Sequence, residues 1–175
     1  MGWFSPVKGS YPSLGQVDKT LPIGALAAVE RGQIVAFGKD SKENPVWEAP
    51  SGSSAALYIS LTDSTDPTAG FAGDAFDPKG GVAAVTAIDL HQDGEYETSV
   101  FDPSGTYEIG TPLYANANGQ LTSASTINIK IGVVTAVPAS RWINNAVAVP
   151  KNGTDRRLAY RTGARMKVIR FKTAM

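Results

Sequence analysis

The chain has 175 residues, enough for one compact domain with a tail or arm. It contains no cysteine, which excludes a disulfide framework and a thiolate metal site, and no apolar run approaches the roughly 20 residues of a membrane-spanning helix. Charged residues make up 18%, and 18 glycines accompany 11 prolines. This composition favours short strands joined by tight turns.

The net charge is zero, but charge is distributed unevenly. Residues 40–110 hold thirteen acidic residues against two lysines, a net charge of −11, and residues 151–175 hold eight basic residues against one aspartate, a net charge of +7. Such a basic segment binds nucleic acid or an acidic protein surface. Because its charges are not regularly interleaved with aromatic residues for base stacking, we expect no nucleic acid. We expect the basic segment to pair with an acidic protein surface, either the acidic middle of this chain or a neighbouring subunit.

The first twenty residues show no period of 2 or 3.6. We predict an extended N-terminal arm over residues 1–20 and a single β domain over 21–175, in which residues 151–175 are a basic segment. A frayed terminus is the alternative interpretation of the arm. Aromatic anchors on an extended segment suit docking onto another chain. The candidate partner-binding residues of the arm are Trp3, Phe4 and Tyr11.

The next part of the chain predicts strands between polar loops. Residues 24–38 suggest two short strands around Arg31-Gly32, and residues 39–56 read as a polar loop. Residues 56–62 alternate apolar and polar side chains and predict a strand. Residues 63–81 are rich in Asp, Gly and Pro and predict a long loop.

Three turn motifs follow. Residues 82–90 and 95–101 predict a hairpin, because Gly94 of Gln92-Asp93-Gly94 can take the positive φ of a tight turn. Asp102-Pro103-Ser104-Gly105 predicts a second turn, since proline presets the φ of its second position. Asn116-Ala117-Asn118-Gly119 predicts another hairpin between residues 113–115 and 120–122.

The last third carries the strongest strand pattern. Residues 127–137 place Ile127, Ile129, Ile131, Val133, Thr135 and Val137 on one face, and Pro138 should end the strand. Residues 142–149 and 166–171 predict two further strands, and no segment predicts a helix. The fold class is therefore all-β, a small β-barrel or β-sandwich of about eight to ten short strands.

Residues for catalysis or metal binding are sparse. The only histidine, His91, has Asp89, Asp93 and Glu95 near it in sequence, and on one uninterrupted strand these four would share a face and suit a divalent metal. The turn at Asp93-Gly94 breaks that strand. The chain has no cysteine and lacks Gly-x-Ser-x-Gly. We expect a protein that is not an enzyme, with no catalytic residue, no metal and no cofactor.

One stretch resembles a known family. Residues 110–122, with Asn118-Gly119, are followed by Ile131-Gly132-Val133-Val134, and this succession is similar to a hairpin and strand of tailed-bacteriophage capsid decoration (cement) proteins. Residues 31–35 resemble the opening strand of the same small barrels. The resemblance implies a non-enzymatic protein of the virion that binds the major capsid protein on the outside of the shell and stabilises it. Members of this family often assemble as trimers.

Two alternatives remain open. One is a structural protein of the phage tail or baseplate. The other is an enzyme or a carbohydrate-binding β module on the particle. A binding module would need exposed aromatic side chains at a groove, with Trp47 and Trp142 as candidates and core packing as their competing role. Residues 1–6 lack the features of a secretion signal. We expect no membrane association and a virion protein assembled in the host cytoplasm.

Overall fold

The computed structural model describes residues 2, 4–6, 19–54, 56–61, 64, 84–90, 94–127, 129–144 and 163–173. Their secondary structure consists of eleven strands and no helix, and the strands form two antiparallel sheets. The all-β prediction is confirmed. Short runs of β-branched and aromatic residues between turn-forming residues produce this architecture, as expected for pleated, half-buried surfaces.

The first sheet has six strands, which in spatial order are β1, β7, β11, β10, β8 and β9. β10 and β11 are the long central pair, and the remaining four strands are short. The bounds are Phe4–Pro6 for β1, Glu95–Thr98 for β7, Pro112–Ala115 for β8, Leu121–Thr122 for β9, Lys130–Asn144 for β10 and Gly163–Thr173 for β11.

The second sheet has five strands in the order β2, β6, β5, β3 and β4. Their bounds are Lys19–Pro22 for β2, Ile34–Lys39 for β3, Pro45–Glu48 for β4, Leu57–Ser60 for β5 and Ala84–Asp89 for β6. The two edge strands, β2 and β4, also contact each other. The sheet is therefore curled into a half-barrel, which the right-handed twist of strands favours.

The main hydrophobic core lies between the two sheets. Both contribute inward-facing side chains, and the largest are aromatic residues of the six-stranded sheet and aliphatic residues of the five-stranded sheet. They include Phe4, Tyr96, Leu113, Ile169 and Phe171 from the first sheet and Ile34, Leu57, Ile59 and Ile88 from the second. This arrangement is a β-sandwich, in which alternate residues of each strand fill the layer between the sheets.

A second cluster covers the other face of the five-stranded sheet. Trp47 is fully buried there, its ring centroid lies 4.9 Å from that of Tyr58, and its indole N–H donates to the Val85 carbonyl oxygen at 2.8 Å. The segment from Ile23 to Val29 lies over this face, with both of those residues buried. Both faces of the sheet are thus covered, so its strands need apolar residues on both sides.

That covering segment corrects one sequence prediction. Residues 24–38 contain only β3, because the residues before Arg31 form a turn, in which Leu26 N–H donates to the Ile23 carbonyl oxygen at 3.1 Å, and an irregular stretch. The loop predicted over residues 39–56 is interrupted by β4, which pairs with β3. The strand predicted at 56–62 is confirmed as β5. Of the loop predicted at 63–81, only Ser64 is within the described residues.

The hairpin predicted around Gly94 is wrong. β6 pairs with β2 and β5 in one sheet, whereas β7 pairs with β1 and β11 in the other. Gly94 does not take a positive φ. Its N–H donates to the Thr173 hydroxyl at 3.0 Å, and its carbonyl oxygen accepts the Thr173 N–H at 2.9 Å. The chain therefore passes from the five-stranded to the six-stranded sheet between β6 and β7. The hydrogen-bond partners of β7 are β1 and β11, which lie far from it in sequence.

The other two turns are confirmed. Asp102 O accepts the Gly105 N–H at 3.3 Å, and Asp102 Oδ1 accepts the Ser104 N–H at 2.9 Å. β8 and β9 form the predicted hairpin, closed by Gly119 at φ 73°. The hairpin tip also joins the sheets, because Ile34 N–H donates to the Gly119 carbonyl oxygen at 2.7 Å.

The strongest predicted strand exists, but its face is wrong. β10 continues through Pro138 to Asn144, and its ladder with β8 shifts register between Lys130 and Gly132. Such a bulge inserts one extra residue and reverses the facing of those that follow. Ile131 and Val134 are therefore both buried in the core, three residues apart, while Val137 is 50% exposed. The closing strand predicted at 166–171 is confirmed within β11, and residues 145–149 lie outside the described residues.

Candidate partner-binding site

The long central strands extend past the rest of their sheet. β11 pairs with β7 only from Ile169 to Lys172, and β10 pairs with β8 only from Lys130 to Val133. Beyond them, Ala139–Asn144 and Gly163–Val168 pair with each other over six consecutive residues. We call these two segments the ribbon. At about 3.4 Å per residue the ribbon is roughly 20 Å long, and no third described strand flanks it.

The ribbon begins at a second irregularity in β10. The ladder with β11 shifts register between Val134 and Ala136 and again between Ala136 and Ala139. Pro138 falls in this stretch, where it has no N–H to contribute to a ladder. Bulges bend and twist the strand that carries them. The sequence therefore places a bend where the paired strands leave the sheet.

The ribbon carries exposed basic side chains. Ser140, Arg141, Arg165 and Lys167 are all exposed, and the ribbon sequence contains no acidic residue. A two-stranded ribbon by itself is marginally stable in water. None of the described strands pairs with its outer edges, whose backbone N–H and C=O groups are then open to pairing with another chain. Contact with a partner would satisfy these groups and stabilise the ribbon.

A groove of about 250 Å³ lies at the base of the ribbon, on the face of the six-stranded sheet that points away from the core. Its walls combine small apolar side chains with one carboxylate and two guanidinium groups. We call it the base groove. It is lined by Glu97, Ala136, Val137, Ala139, Arg141, Val168 and Arg170.

One buried carboxylate holds the two arginines of the base groove. Glu97 lies directly across the ladder from Arg170, and its Oε1 accepts bonds from Arg170 Nε at 3.0 Å and Nη2 at 2.6 Å. Arg141 Nη1 donates to the same oxygen. The Glu97 side chain is 10% exposed, whereas those of Arg141 and Arg170 are 48% and 36% exposed. The three groups together carry one excess positive charge.

The neighbouring residues on this face are also paired. Glu95 lies across the β7–β11 ladder from Lys172, and its Oε1 accepts a bond from the Thr135 hydroxyl at 2.6 Å. The acidic middle of the chain and its basic C-terminal segment thus meet within one molecule at β7 and β11. The sequence prediction that these two regions can pair is confirmed for Glu97 and Arg170.

Of the three aromatic residues predicted to bind a partner, only Phe4 lies within the described residues. Phe4 lies in β1, which pairs with β7, and its side chain is only 7% exposed. Its ring stacks on Tyr96 with centroids 5.3 Å apart. Phe4 therefore contributes to the core of its own chain, because the edge of the six-stranded sheet gives it an apolar surface to cover. Trp3 and Tyr11, the other two candidate residues of the arm, lie outside the described residues.

The remaining sequence candidates are resolved only in part. His91 and Asp93 lie outside the described residues, and the described part of the chain contains no group of three His, Asp or Glu side chains that could hold a metal. Trp47 is a core residue and offers no surface to a carbohydrate. Trp142 lies within β10, with its Cα paired to that of Arg165.

Two ionisable groups with shifted pKa values belong to the turn at residues 102–105. The Ser104 hydroxyl, followed by the Ser104 backbone N–H, lowers the pKa of Asp102 below its ordinary value. Burial, with a smaller effect from the Asp102 charge, raises the pKa of Tyr107 to about 12. The Tyr107 hydroxyl donates to the Asp102 carbonyl oxygen at 2.5 Å. These bonds fix the turn beneath β9, which gives both groups a structural role.

Comparison with known proteins adds no relative. No family model matches the chain, and neither curated proteins nor solved structures provided a match. Among the described residues, no helix is long and apolar enough to cross a membrane. The features of the chain that bear on its function are therefore the geometry of the ribbon and the base groove, and the resemblance given by residues 110–122 and 131–134.

Proposed function

We propose that the chain is a structural virion protein that binds the outside of a tailed-phage capsid and stabilises the shell, with the major capsid protein as its partner. The observation that carries the proposal is the ribbon, a paired extension about 20 Å long built from Ala139–Asn144 and Gly163–Val168. Among the described strands, the backbone of these two segments pairs only within the ribbon, while Arg141 and the buried Val168 join its base to the sheet. The outer edges of the ribbon can therefore meet a surface of another protein.

The physical chemistry of the ribbon suits docking on a protein surface. Its edges can pair with an extended segment of another chain, so that main-chain hydrogen bonds supply affinity and flanking side chains supply specificity. Arg141, Arg165 and Lys167 favour a partner with acidic residues. The sandwich behind the ribbon has its own core and can hold the ribbon in place.

Assembly in several copies would strengthen such contacts. We propose a homo-oligomer, with a trimer as the form implied by the resemblance. A single ribbon gives a small contact area, but several ribbons on one oligomer gain from a high effective concentration after the first has bound. Linking neighbouring capsid subunits in this way would reinforce the shell. This mode of action requires no catalytic group.

Co-sedimentation with capsids that lack the protein tests the proposal. The ribbon variant Arg165→Glu with Lys167→Glu reverses two exposed charges, and the matched control Lys42→Glu with Lys130→Glu makes the same change in charge at exposed positions away from the ribbon. We expect the ribbon variant to bind about tenfold more weakly and the control to stay within about threefold of wild type, because charges act most strongly at the contact.

Two outcomes would contradict the proposal. Equal loss of binding in the ribbon variant and its control would mean that net charge, and not the ribbon, governs association. Sedimentation of the wild-type protein with isolated tails and not with heads would favour the alternative of a tail or baseplate protein. Melting temperatures of both variants within about 2 °C of wild type would exclude unfolding as the cause, since exposed substitutions usually change stability by less than about 0.5 kcal/mol.

A further inference from the structure

The base groove has the charge and lining of a receptor for a single acidic side chain. Its two guanidinium groups converge on one oxygen of Glu97 and carry one charge more than that carboxylate neutralises. Buried carboxylates that accept several bonds hold their donors in a fixed geometry. Glu97 therefore fixes Arg141 and Arg170 while leaving a large part of each side chain exposed.

Among the described residues, both arginines keep hydrogen-bond donors without an acceptor. A guanidinium group has five N–H donors and no acceptor. The recorded bonds of Arg170 come from Nε and Nη2, and that of Arg141 comes from Nη1, all to Glu97. Within the described part of the chain these are the bonds that engage them. The exposed remainder can donate to a further anion.

The apolar walls restrict what that anion is. Ala136, Val137, Ala139 and Val168 line the same groove, and Val137 is half exposed beside the arginines. Small apolar walls suit the two methylene groups of a glutamate side chain, whose carboxylate would then reach the guanidinium groups. A monoanion also matches the single excess charge of the cluster, whereas the Glu97 carboxylate would oppose the doubly charged form of a phosphate.

We propose that the base groove binds a glutamate side chain on an exposed segment of the partner protein, with its carboxylate held by Arg141 and Arg170 and its methylene groups against Val137. The inference names the partner chemistry of the surface at the root of the ribbon, and it rests on the proposed function only in taking the partner to be a capsid protein.

Nuclear magnetic resonance on the full chain provides a direct test. The probe is a capped peptide of sequence AVEVA, the control peptide is AVQVA, and the signals followed are the side-chain Nε–H resonances of Arg141 and Arg170. We expect AVEVA to shift both resonances with at least tenfold higher affinity than AVQVA, because only the carboxylate is charge-complementary. Equal affinity for the two peptides would overturn the proposal.

Two variants separate binding from folding. Arg141→Gln keeps the Arg170–Glu97 pair, so we expect an unchanged fold and at least fivefold weaker binding of AVEVA. Arg141→Lys keeps the charge without the planar fork and should give an intermediate affinity. Unchanged affinity in Arg141→Gln, with amide spectra that show a native fold, would contradict the proposal.

Competition experiments test for other ligands. Inorganic phosphate and a ten-nucleotide oligothymidylate are the competitors. If either bound the base groove more tightly than AVEVA and displaced it, the groove would be a phosphate site and the proposal would be wrong. Capsid co-sedimentation keeps the two proposals distinct. A chain that binds AVEVA but no capsid would contradict the proposed function alone. Wild-type binding of capsids by Arg141→Gln would contradict the groove as the contact and leave the proposed function standing.

Discussion

Replacing Phe4 by alanine tests whether the N-terminal aromatic residue supports the fold or only a partner contact. The Phe4 side chain is 7% exposed and stacks on Tyr96. A buried phenylalanine removes roughly 150–200 Å² from water, worth about 4 kcal/mol at about 25 cal/mol per Å². Because β1 is a three-residue edge strand, it can detach and limit the loss. We therefore expect Phe4→Ala to lower the free energy of unfolding by about 2–4 kcal/mol.

Urea denaturation followed by tryptophan fluorescence measures this change. Ile109→Ala is the matched control, because Ile109 is 75% exposed and its truncation should cost less than about 0.5 kcal/mol. The refuting result is a Phe4→Ala protein as stable as the control that nevertheless binds capsids weakly. That outcome would restore Phe4 to the role predicted for an extended arm, with its ring used by a partner.

Three further substitutions test separate parts of the structure. Glu97→Gln should lower the free energy of unfolding by about 1–3 kcal/mol, since it removes the negative charge that both arginines share, and a change below about 0.5 kcal/mol would contradict that role. Gly119→Ala should lower the free energy of unfolding, measured by chemical denaturation, by at least about 2 kcal/mol. Alanine is strained at φ 73°, and its Cβ would also overlap the Ile34 carbonyl oxygen. Gly110→Ala, at φ 89° with open space around it, should show only the cost of the backbone strain. The pKa of Tyr107 is about 12 in the folded chain and about 10 in the unfolded chain. The stability that its neutral hydroxyl contributes is therefore fully present below about pH 10 and is lost between about pH 10 and 12. Tyr107→Phe should remove that part of the alkaline loss of stability, and an unchanged pH profile would contradict it.

The sequence was most informative where local chemistry determines the backbone. The turns at Asp102–Gly105 and Asn116–Gly119 formed as predicted, because proline and a positive-φ glycine fix their conformation. β5 also followed from alternating side chains, and the strand predicted at residues 166–171 lies within β11. In each case the signal lies within a few residues of the structure that it specifies.

Prediction failed where distant segments decide the structure. Gly94 suited a hairpin, yet β7 pairs with β1 and β11, which lie far from it in sequence. The facing of Val133 and Val137 depended on a bulge, and a bulge is set by the register with β8 and β11. Both errors arise because non-local pairing determines which face of a strand meets the core.

For the candidate site, the sequence predicted only the distribution of charge. The sequence showed an acidic middle and a basic C-terminal segment that could pair, but not that Glu97 would lie opposite Arg170. It also gave no sign that β10 would run through Pro138 and form the ribbon. β10 and β11 pair both before and after the register shifts between Val134 and Ala139. The sequence alone does not reveal such a continued pairing, because it does not contain the register.

Electron cryomicroscopy of capsids saturated with the protein tests the proposed function most directly. We expect density for the β-sandwich on the outside of the shell, with Ala139–Asn144 and Gly163–Val168 against the major capsid protein and a glutamate side chain of that protein in the base groove beside Arg141 and Arg170. Density for the protein on the shell with the ribbon directed into solvent would contradict the proposed function. Absence of the protein from the shell under conditions in which it binds tails would contradict it as well.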